Sequence, residues 1–252
     1  MTTLCAELSS NHGGSWEWIL RAIDQCAAAG VDILKAQAYQ TKFLRPGDPQ
    51  TDWLKQAELS LDDLEHFYEA CHAAGVVPMM SVFDLERPTQ LADIGYTCVK
   101  IGAGDSMRAD LITACIECCP YVYVSDGGLG DVAVSHAPVG AQLIRMKTQS
   151  RYPCPPECAQ LGGSQFPLYT GYSDHTVGLD ACKVAIVLGA WAVEKHLRLG
   201  VGRANAWDTL PAGFKELDAW RKTVAVLRGT GAPQPADPAD VARFVGRWTH
   251  GG

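Results

Sequence analysis

Glu7, Lys35, Gln37, Lys100, His175 and His196 interrupt otherwise apolar stretches, and each falls near the C-terminal end of a segment with strand character. Polar groups gathered at that end of parallel strands are how a (β/α)8 barrel assembles an active site. Side chains on a strand alternate faces, so Lys35 and Gln37 share one face while Leu34 and Ala36 take the other. An unpaired ammonium inside a barrel costs far more than a hydrogen bond, so Lys35 requires an anionic partner, either a structural carboxylate or a bound anion. Lys100, within Val99-Lys100-Ile101-Gly102, repeats the pattern. Two such lysines converging with Ser81, Ser125 and Ser173 suit a ligand that carries a phosphate and a carboxylate.

The densest constellation is Gly171-Tyr172-Ser173-Asp174-His175-Thr176, followed one helix later by Glu194-Lys195-His196. Neighbouring strands lie ~4.8 Å apart, so imidazoles at two adjacent strand ends can share one ion. Two histidines, with water and substrate oxygens completing the shell, suit an open divalent site of the manganese type, with magnesium or cobalt as alternatives. Glu194 has the strand parity of His196 and is either a further ligand or an orienting group. His12 is open between a place in the site and a loop cap. His66, His72, His136 and His250 read as surface positions.

The elements that must position these groups alternate. Strand-like segments at 3–8, 33–39, 76–83, 97–102, 121–125, 143–148, 168–171 and 192–199 are separated by amphipathic stretches. In the first of these, Trp16, Ile19, Leu20, Ile23 and Cys26 fall at helical spacing before Gly30. Further helices are expected at 61–74, 87–94, 109–118, 177–188 and 214–227, and a long loop with Pro46, Gly47 and Pro49 follows the second strand. Eight strands alternating with helices predict an α/β (β/α)8 TIM barrel over 1–229. The alternative is a doubly wound open sheet. The glycine-rich 127–138 segment is too short for a full fifth helix, and the proline-bearing 230–252 segment reads as a C-terminal extension.

The chain has 252 residues, against ~250 for one barrel. It is 47% hydrophobic and has no run of ~18 apolar residues, which disfavours a membrane span. Glu7, Asn11 and His12 interrupt any secretory h-region, so a cytoplasmic location is expected. The formal net charge of -7 argues against nucleic acid as a partner. Among the ten cysteines, Cys115, Cys118, Cys119, Cys154 and Cys158 have spacings that resemble zinc half-sites. Adjacent Cys118-Cys119 and the prolines after Cys154 favour reduced, buried thiols instead.

These residues resemble the sialic acid synthase family, the phosphoenolpyruvate-dependent N-acetylneuraminate synthases and their legionaminic and pseudaminic relatives, from about residue 4 to residue 217. The resemblance rests on Ala6-Glu7 with Asn11-His12, Lys35-Ala36-Gln37, the 81–84 segment, Lys100-Ile101, Ser150-Arg151-Tyr152-Pro153, the Gly-Tyr-Ser-Asp-His-Thr run, Gly189-Ala190 and Glu194-Lys195-His196. It implies that His175 and His196 hold manganese or a similar ion. It further implies that Lys35, Lys100, Ser125, Ser150, Tyr152 and Ser173 surround phosphoenolpyruvate, and that Glu7 and Gln37 orient the acceptor and the attacking water. The reaction so implied joins phosphoenolpyruvate to an aldehyde or aldose and releases phosphate by C–O cleavage. The resemblance also implies dimers formed through a C-terminal antifreeze-like domain; no such domain is expected within these 252 residues, so a homodimer, if formed, is expected to associate differently.

Several positions depart from the family pattern. Ala103-Gly104-Asp105 replaces Ser-Gly-Glu, leaving Asp105 as a shortened carboxylate. Ser125-Asp126-Gly127 replaces Ser-Thr-Gly and is expected to set a negative charge beside the phosphate. An acceptor-binding aspartate falls near Ala204-Asn205, with Asp208 as its substitute. Two other readings stay open: different metal-dependent barrel chemistry, such as aldol cleavage or epimerisation, and a non-catalytic protein that binds a sugar or phosphometabolite.

Overall fold

The computed structural model describes residues 1–126, 142–162, 170–200 and 204–229. Eight parallel strands close on themselves in sequence order: β1 (Thr3–Ser9), β2 (Ile33–Gln37), β3 (Val77–Ser81), β4 (Cys98–Ile101), β5 (Tyr121–Ser125), β6 (Gln142–Lys147), β7 (Gly171–Asp174) and β8 (Ala192–His196). The open-sheet alternative is thereby excluded, since β8 pairs with β1 from Thr3↔Ala192 to Glu7↔His196. Around the strands lie α1 (Trp16–Ala28), α2 (Thr51–Ala57), α3 (Leu61–Ala73), α4 (Arg87–Ile94), α5 (Ala109–Cys118), α6 (Asp180–Leu188) and α7 (Pro211–Leu227). None of the described helices is long and apolar enough to cross a membrane.

The packing follows from the alternation of each strand. Outward residues such as Leu34, Ala36, Met80, Val99, Ile101, Val122 and Val124 pack against Ile19, Ile23, Leu64, Phe67, Leu91 and Leu111 of the helices. Inward residues at the opposite parity form a separate layer of Cys5, Ile33, Met79, Cys98, Tyr123, Ile144, Met146 and Ala192 that plugs the lower barrel. Gly171 belongs to this crowded level. A Cβ there would lie 2.2 Å from Met146 Sδ and 2.9 Å from the Ala192 carbonyl, so glycine is required for β7 to approach its neighbours.

Local signals set the helix starts. Ser60 and Asp63 form a reciprocal capping box at α3, with Ser60 Oγ accepting from the Asp63 N–H at 3.2 Å and Asp63 Oδ2 accepting from the Ser60 N–H at 2.9 Å. The closing helix α7 is fastened by Arg221, which is buried, contacts Asp32, and donates to the carbonyls of Thr2 at 2.7 Å and Gly30 at 2.8 Å. One guanidinium thus ties α7 to the starts of β1 and β2.

The structure corrects three boundaries. The seventh strand begins at Gly171, where the sequence reading ended it, and continues through Tyr172-Ser173-Asp174. Its polar residues are compatible with a buried strand because Ser173 meets Glu194 on the inside and Asp174 pairs with Lys195 Nζ at 2.7 Å on the outside. The eighth strand stops at His196, and α6 starts at Asp180. The loop after β2 contains α2, which the sequence reading missed because its seven residues offer little periodicity. Tertiary hydrogen bonds hold this region, from Trp53 Nε1 to Ser10 Oγ at 3.0 Å and from Tyr39 Oη to the Leu54 carbonyl at 2.9 Å. The expected short fifth helix at 127–138 and the extension at 230–252 lie outside the described residues.

Candidate active site

Within the barrel, the inward residue changes from apolar to polar one alternation above the plug. Cys5 gives way to Glu7, Ile33 to Lys35, Met79 to Ser81, Cys98 to Lys100, Tyr123 to Ser125, Met146 to Thr148, and Ala192 to Glu194. The result is a cavity of about 380 Å³ at the C-terminal ends of the strands. Glu7, Lys35, Gln37, Ser81, Lys100, Asp105, Ser125, Ser150, Tyr152, Ser173, His175 and His196 all line it, together with Thr148 and Glu194.

Its floor is a four-charge network. Lys35 Nζ contacts the Glu7 carboxylate, donates to Ser81 Oγ at 2.8 Å and lies 3.8 Å from Glu194 Oε2. Lys100 Nζ contacts Glu194 Oε1 and donates to Ser173 Oγ at 3.1 Å, while Ser173 Oγ lies 2.9 Å from the same carboxylate oxygen. Strand register creates these neighbours, since Glu7 pairs with Lys35 across β1–β2 and Ser173 with Glu194 across β7–β8. All four charged groups are buried, so each depends on the others. Burial alone would raise the Glu194 carboxyl, but Lys100 and then Lys35 outweigh it and hold the group well below the usual carboxylate range. Burial likewise pulls Lys35 down to about 8, with Glu194 opposing. Ser125 Oγ is buried at the cavity wall with no hydrogen-bond partner among the described residues, a donor left over for a ligand.

The two histidines stand side by side above this floor, their ring centroids 5.5 Å apart and their planes at 60°. His175 Nδ1 sits 2.8 Å from the Gln149 carbonyl, so it carries the proton and leaves Nε2 with a free lone pair. His196 Nδ1 is buried without a hydrogen-bond partner, 3.8 Å from Asp208 Oδ1. Burial lowers His175 to about 4, and burial followed by the nearby His175 drives His196 well below its ordinary value. Neutral imidazoles with uncommitted nitrogens are the donor set a divalent ion of the manganese type accepts. Among the described residues no group of three His, Cys, Asp or Glu gathers as a metal site, so further ligands to such an ion would be water and substrate oxygens. The cysteines form no such group either. All ten are free, eight of them buried, with Cys118 and Cys158 partly exposed.

Other expectations change in place or role. Glu194, left open between ligand and orienting group, is the counter-ion of both lysines. Its parity was visible in the sequence, but its partner across the barrel was not. Asp126 is buried and is not among the described residues that line the cavity, because strand alternation turns it away one residue beyond Ser125. Asp105 lies at the rim, 3.5 Å from Arg108. Asn205 lines an adjoining cavity that shares Gln37, Tyr152 and His196 with the first. The Asp208 side chain is buried beside that wall, its Oδ2 accepting from the Asn205 N–H at 2.8 Å while its Oδ1, 3.8 Å from His196 Nδ1, has no hydrogen-bond partner among the described residues. His12 is a loop cap, its Nδ1 accepting from the Gly14 N–H at 3.1 Å. Thr148 was missed, since a threonine carries no charge to mark it in the sequence; the pairing of β6 with β7 lets its hydroxyl donate to the Ser173 carbonyl at 2.8 Å.

Comparison with known proteins agrees with this geometry. A model of the NeuB family matches residues 22–227. The pseudaminic acid synthase of Campylobacter jejuni is 27% identical over 245 residues, covering 86% of this chain and 71% of that protein. The N,N'-diacetyllegionaminic acid synthase of the same species is 24% identical over 226 residues, covering 79% and 68%. Among solved structures, an N-acetylneuraminic acid synthetase from Leptospira borgpetersenii superposes with a TM-score of 0.83 at 23% identity, covering 96% of this chain and 90% of that one, a likeness of fold.

Proposed function

Because this chain belongs to the NeuB family, we propose that it is a synthase that condenses phosphoenolpyruvate with an aldose to give a 2-keto sugar acid and inorganic phosphate. The observation that carries the reading is the pair of buried lysines, Lys35 and Lys100, held in one cavity beneath two neutral histidines. Relatives named as synthases of pseudaminic and legionaminic acids support the same reading.

In this reading the carboxylate and phosphate of phosphoenolpyruvate lie over the two ammonium groups. Ser125, Ser150, Ser173 and Tyr152 supply hydrogen bonds, and the buried Ser125 hydroxyl gains the partner it lacks. Charge is balanced before the ligand arrives by Glu7 and Glu194, so the lysines are preorganised and need not be drawn in from solvent. A divalent ion, manganese foremost, with magnesium or cobalt as alternatives, would be held by His175 and His196 and would supply Lewis acidity toward the acceptor's carbonyl oxygen. The methylene carbon of phosphoenolpyruvate forms the new C–C bond with the aldose carbonyl carbon. Water adds at C2, and the C2–O bond to phosphate breaks, so one water is consumed for each phosphate released. Glu7 and Gln37, on adjacent strands, orient the water and the acceptor, and Glu7 is placed to take the proton that the water loses. Asp105 meets the acceptor at the rim.

The test is phosphate release by the purified protein with manganese, phosphoenolpyruvate and a panel of aldoses. Release that depends on both aldose and metal is the expected result. Release without an aldose, or none with any member of the panel while phosphoenolpyruvate binds, would refute the condensation.

A further inference from the structure

On the outside of the barrel, where β7 and β8 face α6 and α7, the packing is apolar and includes Leu4, Tyr172, Ile186, Val193 and Leu217. One alternation above Tyr172 and Val193, the same layer takes in a full ion pair, Asp174 and Lys195, each 1% exposed. The proposed condensation uses neither. Lys195 Nζ donates to Asp174 Oδ2 at 2.7 Å and to the Thr176 carbonyl. The Asp174 carboxylate is saturated by further donors. Its Oδ1 accepts from the Tyr172 hydroxyl and from the Thr176 N–H, both at 2.9 Å. Its Oδ2 accepts from the Thr176 hydroxyl at 3.1 Å and from the Cys182 thiol of α6 at 3.2 Å.

Apolar side chains of similar volume would fill such a layer as stably or more so, so stability alone does not account for the pair. Its place in the sheet does. Asp174↔Lys195 is the last register pair of β7 and β8, and the next residue on each chain is a histidine of the candidate metal pair, His175 or His196. Lys195 adjoins His196, and its ammonium grips Asp174 and Thr176, the two residues that flank His175. Thr176 is held at three atoms, its N–H and hydroxyl by the carboxylate and its carbonyl by the ammonium. One clamp therefore joins the two backbones that carry the imidazoles, whose ring centroids stand 5.5 Å apart. The His196 ring depends on that backbone, since its Nδ1 has no hydrogen-bond partner among the described residues.

We propose that Asp174 and Lys195 are positioning residues: the clamp they form outside the barrel sets the spacing of His175 and His196 that one divalent ion requires inside it. The inference rests on the reading of the two histidines as metal ligands. It is tested on the full chain with the double variant Asp174→Asn/Lys195→Met, which removes both charges together and leaves neither buried alone. Manganese affinity is measured by calorimetry and the bound ion by its electron paramagnetic resonance spectrum, beside Tm and the affinity for inorganic phosphate. The expected result is manganese affinity weakened ten- to a hundredfold, as for loss of a group that orients metal ligands, with an altered spectrum. Tm should stay within about 5 °C and phosphate affinity within about twofold, because the floor lysines keep their own partners. Should the double variant not fold, Thr176→Val, which deletes one hydroxyl contact to the clamp, carries the comparison with a loss of about threefold expected. Unchanged manganese affinity and spectrum in a folded variant would overturn the proposal and leave the metal reading standing. Phosphate affinity that falls as far as manganese affinity would also overturn it, since the pair would then be general scaffolding. No manganese binding by the wild type would sink the metal reading and the proposal together. Clamp-dependent manganese binding without phosphate release by the wild type would uphold the proposal and refute the condensation.

Discussion

Glu194 neutralises two buried ammonium groups, so replacing it with glutamine should make the protein less stable and more receptive to anions. In Glu194→Gln, Lys100 loses its carboxylate contact and Lys35 loses the charge 3.8 Å away, leaving Glu7 as the one carboxylate of the floor network. Breaking a buried pair costs about 3–5 kcal/mol. Glutamine still offers an oxygen to Ser173, so the lower end, about 3 kcal/mol, is expected. For a chain of this size that corresponds to a fall in Tm of roughly 6–12 °C. The sign with pH is fixed by the depressed carboxyl. Its contribution is complete above the unfolded-chain value near 4.5 and is lost as pH falls through the folded value, so wild type and variant should converge in acid. The floor network of the variant carries two positive groups against one negative, and an anion restores the balance. Inorganic phosphate should therefore bind about tenfold more tightly to Glu194→Gln than to wild type, raising its Tm by a few degrees more. The assay is thermal unfolding at pH 7 with a phosphate titration. An equal or smaller phosphate shift in the variant would refute the view that this cavity is built to receive an anion.

Three further outcomes follow from the same geometry. His196→Ala should lose manganese binding in calorimetry with Tm changed by no more than about 2 °C, because a strand-end imidazole contributes little packing; retained affinity would remove the metal assignment. Lys35, lowered to about 8 by burial, is an ammonium below that pH, so phosphoenolpyruvate affinity should hold to about pH 8 and then fall, by up to tenfold per unit. Over the window from 8 to the ordinary 10.5 the unfolded chain holds more protons, so folding stability rises while affinity falls, and a flat affinity would exclude Lys35 as an anion ligand. Arg221→Ala should cost about 2 kcal/mol, discounted because Asp32 is partly exposed, with kcat/KM unchanged; denaturant unfolding and the phosphate-release assay check the two halves.

The sequence by itself determined the barrel and most of the cavity wall, because both rest on the same period of two. An apolar strand whose inward face ends in Glu7, Lys35, Lys100 or His196 announces its parity and its direction without knowledge of its neighbours. What it could not carry was partnership across the barrel. Glu194 and Lys100 are 94 residues apart, and Ser173 and Lys100 are 73 apart; only closure of β8 onto β1 and the stagger of the strands bring these side chains to one floor. The same limit hid the true extent of β7, whose Asp174 is tolerable in a strand only because Lys195 stands beside it. It also hid the partners of Asp208, whose carboxylate accepts from Asn11 and Asn205. Side-chain periodicity is a local property of the backbone, whereas the compensation of buried charge is decided by whichever distant residue the closed fold places within reach.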